Sequence, residues 1–190
     1  MLNWLIQQDM NLFLFLNKLN HPSLDPVFEF ISYNFIPGFV IICLFLFYTY
    51  KEIGKKFLLP FFFVLVCFGL ADSISTRVFK NNIKRLRPMH EPQIKDSVHS
   101  GSRGRGGGKY GFVSSHASNT FAICMLIFLY MRKKHPRFKY IFIYAVIVSY
   151  SRIYLGKHYP LDLICGAILG IIIALFVYQI SLKLKVKSCC

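Results

Sequence analysis

Residues 151–182 read SRIYLGKHYPLDLICGAILGIIIALFVYQISL. From Leu161 onward the stretch carries a single formal charge, Asp162. About 20 apolar residues rising ~1.5 Å each cross the ~30 Å hydrocarbon layer of a bilayer, so 161–182 predicts a spanning helix. Arg152, His158 and Asp162 crowd its leading edge. Ionisable groups near membrane depth are costly, which makes them candidates for function rather than for solubility.

Working outward, four more apolar stretches lie at 26–50, 57–79, 117–131 and 138–155. The first contains Asn34, Pro37 and Gly38, which predict a kink, with Glu29 near its outer end. Residues 1–20 place Leu2, Leu5, Ile6, Leu12, Phe13 and Leu16 on one helical face and Asn3, Gln7, Asn11 and Lys18 on another. That pattern predicts an interfacial helix. A basic start and a small-residue cleavage site, the marks of a signal peptide, are missing before Lys18. The expected fold is therefore an all-α, polytopic membrane helix bundle of five spanning helices plus an N-terminal amphipathic interfacial helix, six helices in total. The expected organisation is an amphipathic segment at 1–24, a bundle at 25–187 with a long loop at 84–115, and a tail at 188–190 carrying Cys189 and Cys190.

Composition agrees with a membrane solvent. Of 190 residues 55% are hydrophobic and only 16% charged, against about 25% charged in an ordinary soluble domain. The formal net charge is +15, so the expected partners are anionic. The short basic connections, Lys51 to Lys56, Arg132 to Lys139 and Lys183 to Lys187, fall on one side of the five-helix scheme, which places the 132–139 loop in the cytoplasm. The long loop contains GSRGRGGGKYG at 101–111. It is no P-loop, because Lys109 is followed by Tyr110 rather than Ser or Thr. Its few cations are hemmed in by membrane helices, which argues against nucleic acid as a partner.

Alternating topology gathers the remaining ionisable groups on the opposite face. Lys80 and Arg87 close the second span, His116 opens the third, Arg152 closes the fourth, and His158 and Asp162 lead into the fifth. Lys80, Arg87 and Arg152 make a clamp suited to a doubly charged tetrahedral anion where water is scarce. His158 lies four residues before Asp162, close enough for the carboxylate to fix its tautomer and support positive charge when the other ring nitrogen attacks phosphorus. His116 is left free to protonate a departing oxygen. Asp72 is expected to pair with Arg77. Arg103, Arg105 and Lys109 are possible contacts to a large anionic head group.

These residues stand as Lys80-x6-Arg87-Pro88, Val113-Ser114-Ser115-His116 and Ser151-Arg152-x5-His158-x3-Asp162. In that order and spacing the chain resembles the type-2 phosphatidic acid phosphatase superfamily, whose motifs are K-x6-R-P, P-S-G-H and S-R-x5-H-x3-D. The second motif departs at Val113 and Ser115. The resemblance implies a metal-independent phosphatase with no cofactor, in which His158 forms a phosphohistidine, His116 protonates the leaving group and Asp162 orients His158. Lys80, Arg87, Arg152 and Ser114 would hold phosphate oxygens. The expected substrate is a phosphorylated membrane lipid, with lipid A phosphate or undecaprenyl diphosphate favoured over phosphatidylglycerol phosphate and phosphatidate. The expected setting is a bacterial inner membrane, with the site facing the periplasm or cell exterior. The competing reading is a non-catalytic binder or transporter of anionic lipid.

Overall fold

A computed structural model describes residues 2–102, 104 and 106–184 of the chain. Arg103, Arg105 and the tail expected at 188–190 lie outside the described residues. The described chain is helical, with one isolated bridge between Leu86 and Tyr110 inside the long loop. In order come α1 (Leu2–Asn17), α2 (Asp25–Tyr33), α3 (Ile36–Ile53) and α4 (Leu58–Ser73). A wider-pitched segment, Ile74–Lys80, continues α4 into the one-turn α5 (Asn81–Ile83). After the loop follow α6 (Ser115–Met131), α7 (Ile141–Tyr154) and α8 (Pro160–Lys183).

The expected first span is two helices rather than one kinked helix. Asn34 is extended, at φ −93° and ψ 137°, and Pro37 lies in the first turn of α3. There its missing N–H costs nothing, whereas inside a continuous helix it would break a hydrogen bond. The α2 segment is thereby released to lie beside α7.

Contacts between helix ends fix the helix directions. Glu52, at the end of α3, pairs with Lys134 and His135 just past α6. Ser75 and Lys80, beyond α4, meet Ser115 at the start of α6, and Cys67 donates to the Ala122 carbonyl at 3.8 Å. Hence α3 and α6 run the same way and α4 runs against them. The amide of Ser114 donates to the Asp162 carbonyl at 3.0 Å, which brings the starts of α6 and α8 together. The motif residues therefore gather at one end of the bundle, and the basic connections at 51–56 and 132–139 lie at the other.

The tightest helix pair is α6 with α8. Gly166 and Gly170 of α8 press on Ser114, Ala117, Ser118 and Ala122 of α6, a small-residue stripe that lets the two backbones approach closely in an apolar solvent. Phe45, Phe63, Leu126, Tyr130, Ile173 and Val177 fill the core below. Large apolar side chains, among them Phe39, Phe47, Phe62, Phe68, Ile172 and Phe176, point outward from α3, α4 and α8. Soluble monomers rarely expose such contiguous apolar surface, whereas lipid-facing helices must.

The buried face of α1 differs from the amphipathic expectation. Asn3, Gln7, Asn11 and Lys18 are exposed as expected, but so are Leu5, Ile6 and Leu12, and the face that meets the bundle carries Asp9, Met10, Phe13 and Asn17. Asn17 donates to the carbonyls of Ile153 and Tyr154, each at 2.9 Å, and accepts from the His99 amide at 2.8 Å. A buried polar side chain needs partners, and Asn17 finds them in the end of α7 and the long loop.

Candidate active site

His158 sits at the floor of the bundle's functional end, 1% exposed. Gly156, at φ +66°, makes the turn that carries the chain from α7 to His158; a Cβ there would lie 2.8 Å from the His99 carbonyl oxygen. The amides of Lys157 and His158 both donate to the Arg152 carbonyl, at 2.9 and 3.3 Å. The imidazole and Arg152 are thus held in register by the same turn. The Nδ1 of His158 lies 3.4 Å from Oδ2 of Asp162. That carboxylate occupies the third position of α8 and accepts from the Tyr159 amide at 3.1 Å in a capping box. Burial, then the nearby Arg87, Arg152 and Lys80 charges, push the His158 imidazole well below its ordinary pKa. It is held neutral, the form a nucleophile needs.

Lys80 donates to Ser115 Oγ at 2.7 Å, and that hydroxyl also accepts from Ser75 Oγ at 2.8 Å. Arg87 is extended ahead of Pro88, as a residue before proline prefers. Its Nε donates to the Tyr110 carbonyl at 3.1 Å. Arg152 is 4% exposed, donates to Ser32 Oγ, and has a buried Nε with no hydrogen-bond partner. Its guanidinium carbon is 5.6 Å from the Tyr33 ring centroid. Arg87 and Arg152 line a cavity of about 270 Å³ together with Tyr33, Lys157 and the glycines of the long loop. Gly107, at φ +128°, lets the loop backbone approach Arg87 Nη1, which a Cβ would meet at 2.6 Å.

His116, on the first turn of α6, is exposed where His158 is buried, and lies within electrostatic reach of His158, Arg152 and Lys80. Ser114 is the N-cap of α6, its Oγ accepting from the Ala117 amide at 3.4 Å. The structure therefore brings Lys80, Arg87, Ser114, His116, Arg152, His158 and Asp162 to one end of the bundle.

The PAP2 superfamily model matches residues 57–185. This chain belongs to the PAP2 superfamily. Its PAP2 relatives include a protein named lipid A 4'-phosphatase from Porphyromonas gingivalis, 34% identical over 95% of this chain and 76% of that one. A second lipid A 4'-phosphatase, from Bacteroides thetaiotaomicron, is 31% identical over 98% of this chain and 83% of its own. An undecaprenyl-diphosphatase from Sulfolobus acidocaldarius is 28% identical over 95% and 82%. In fold the chain is similar to the crystal structure of a transmembrane PAP2-type phosphatidylglycerolphosphate phosphatase from Bacillus subtilis. That match has a TM-score of 0.70 at 22% identity and covers 95% of this chain and 88% of the other. It is also similar to Aquifex aeolicus LpxE, with a TM-score of 0.61 at 26% identity over 89% and 93%.

Several features of this PAP2 site were not legible in the motifs. Arg85, two residues before Arg87, donates from Nη1 to Asp162 Oδ1 at 2.8 Å and from Nη2 to Asp9 Oδ2 at 2.6 Å. A charged residue inside the first motif's spacer was the available signal, yet its partners are 76 and 77 residues away. Lys157 is 1% exposed and donates to the carbonyls of Gly104 and Gly106. Burial, with Arg152 and Arg87 close by, lowers its ammonium to about 8. Lys109 is different: its side chain is exposed, and the Arg87 amide uses its carbonyl at 3.1 Å. Asp72 accepts from Asn119 at 3.0 Å rather than from Arg77. Among the described residues no group of three or more His, Cys, Asp or Glu is gathered as a metal site would require.

Proposed function

We propose that this PAP2 protein removes a phosphate monoester from lipid A at the outer face of a bacterial inner membrane. The observation that carries this reading is the convergence of three fixed cations, a buried neutral imidazole backed by a carboxylate, and an exposed second imidazole at one end of an apolar bundle. A phosphate dianion entering the cavity is attracted to Arg87, Arg152 and Lys80 and cancels the field that keeps His158 uncharged. His158 Nε2 then attacks phosphorus while the bond to the lipid oxygen breaks, and His116 gives that oxygen its proton. Positive charge on the phosphorylated imidazole is supported at Nδ1 by Asp162. Water, deprotonated by His116, next attacks phosphorus; the P–N bond breaks, phosphate leaves and both imidazoles return to their starting forms.

An apolar groove of about 310 Å³ between α3, α6 and α7 supports a lipid substrate. Its wall includes Thr120, one turn from His116, and Phe35, two residues from the cavity-lining Tyr33. An acyl chain in the groove leaves its phosphate at the cations. On this reading α3, α4, α6, α7 and α8 cross the bilayer. The Lys51–Lys56 and Arg132–Lys139 connections face the cytoplasm by the positive-inside rule, so the site faces the periplasm. Lipid A is preferred to undecaprenyl diphosphate because the relatives bearing the former name match at 34% and 31%, the latter at 28%.

The test is phosphate release by purified protein from lipid A, undecaprenyl diphosphate, phosphatidylglycerol phosphate and phosphatidate. Lipid A is expected to give the highest kcat/KM; a clear preference for another lipid overturns the substrate assignment. His158→Ala is expected to abolish turnover while retaining lipid binding. Turnover near the wild-type rate in that variant would return the protein to the class of anionic-lipid binders.

A further inference from the structure

A charge network with both of its carboxylates buried joins the N-terminal helix to the reaction centre. Asp9, on α1, is 4% exposed. Its Oδ2 accepts from Arg85 Nη2 at 2.6 Å, and its Oδ1 accepts from the Leu161 amide at 2.9 Å, one residue before Asp162. The other Arg85 terminal nitrogen, Nη1, reaches Asp162 Oδ1 at 2.8 Å. The guanidinium carbon lies 4.1 Å from the centroid of the Tyr159 ring, and Phe13 of α1 packs edge-on against that ring at 5.4 Å. Arg85 is therefore held by two carboxylates and a ring face at once.

We propose that Arg85 is a positioning residue for Asp162, and that Asp9 sets Arg85, so that α1 acts in the phosphoryl transfer without touching substrate. The inference rests on the phosphohistidine reading above. A carboxylate that must present one oxygen to an imidazole has to be kept from rotating. Tyr159 N–H donates to Oδ2, the oxygen that lies 3.4 Å from His158 Nδ1, while Arg85 takes Oδ1, so the two oxygens are not interchangeable. The planar fork of arginine is suited to hold two carboxylates in fixed relation. Charge matters as well as shape. Arg85 alone would neutralise Asp162 and weaken its support for a positive imidazole; with Asp9 added, the three groups carry a net −1 toward His158. Without Arg85, two buried carboxylates are left with no countercharge between them, an arrangement far costlier than the intact triad.

The experiment measures kcat, KM and the inhibition constant of inorganic phosphate on the full chain in lipid or detergent. Arg85→Ala is expected to lower kcat about 100-fold, as loss of a supporting partner of a catalytic group does, with KM and the phosphate inhibition constant within about threefold of wild type. Arg85→Lys, which restores a cation to Asp162 without the second arm, is expected to recover about tenfold of that loss. Because Arg85 acts through Asp162, adding Arg85→Ala to Asp162→Asn should cost less than about threefold further. Multiplicative losses in the double variant, or a parallel loss of phosphate affinity, overturn the inference. Should Arg85→Ala fail to fold, the isosteric Asp9→Asn keeps the question open to measurement: a kcat lowered about tenfold supports the inference and an unchanged kcat overturns it. Full activity in His158→Ala is a separate result, which removes the phosphohistidine reading itself.

Discussion

Replacing Gly166 by alanine tests whether close approach of α6 and α8 sets the catalytic geometry. A Cβ at 166 would stand 2.7 Å from the Ser114 carbonyl oxygen and 3.2 Å from Ala117 Cβ, where ordinary contact begins at 3.4 Å. Both neighbours belong to the start of α6 and cannot swing aside, so α8 must retreat by about 0.7 Å at this level. One turn above, the same helix carries Asp162, and the Ser114 amide bonds its carbonyl. The retreat therefore separates His158 and Asp162 from Ser114 and His116. Overpacking of this kind costs about 1–3 kcal/mol, and a misplacement approaching 1 Å in a reaction centre lowers turnover by up to ~10²-fold. We expect kcat for phosphate release to fall about 10- to 100-fold and thermal unfolding to shift down, both measured in one detergent. Gly69, on α4, has nothing within 4 Å of its Cβ position, so Gly69→Ala should leave kcat within about twofold. Wild-type turnover in Gly166→Ala, or equal damage from Gly69→Ala, would refute the reasoning.

Three further outcomes follow from the geometry. Ser115→Ala removes the hydroxyl that receives Lys80 at 2.7 Å; a hydrogen bond to a charged group contributes about 1.5 kcal/mol, so KM should rise about tenfold with kcat changed far less, read from initial rates. Buried neutral His158 binds its proton less readily than the unfolded chain does, so stability is full above about pH 6.5 and falls by about 1.4 kcal/mol per unit below it until the folded imidazole protonates. Unfolding midpoints should fall between pH 7.5 and 5, and His158→Gln should make that fall shallower by its share. Glu52 pairs with Lys134 and His135 at the far end of the bundle. Glu52→Gln should therefore leave phosphate release unchanged, and a large loss would show that the two ends are coupled.

The apolar runs, the motif spacing and the alternation of helix directions made the bundle, and the end at which the motif residues gather, readable in the sequence, because each is a local or periodic property of the chain. Lys80, Arg87, Arg152, His116, His158 and Asp162 could be placed on one face by counting spans alone. The break at Asn34 was legible only as a kink, since a proline marks a discontinuity without stating its angle. The inward turn of Asp9 and Asn17 ran against the amphipathic pattern of α1. That pattern assumes water on the polar side, whereas these two side chains have only the bundle to bond.

The sequence by itself determined the solvent, the apolar stretches that become helices and the kinds of groups at the end where the motifs gather, since hydrophobic length and residue type are carried by each segment alone. Tertiary structure decided what those groups are bonded to. Arg85 joins Asp9 to Asp162, Ser115 receives Lys80, and Lys157 holds the loop through Gly104 and Gly106. Those partners are 35 to 77 residues apart, and no local periodicity records which distant donor a buried acceptor will meet; only the packing of helices against one another does.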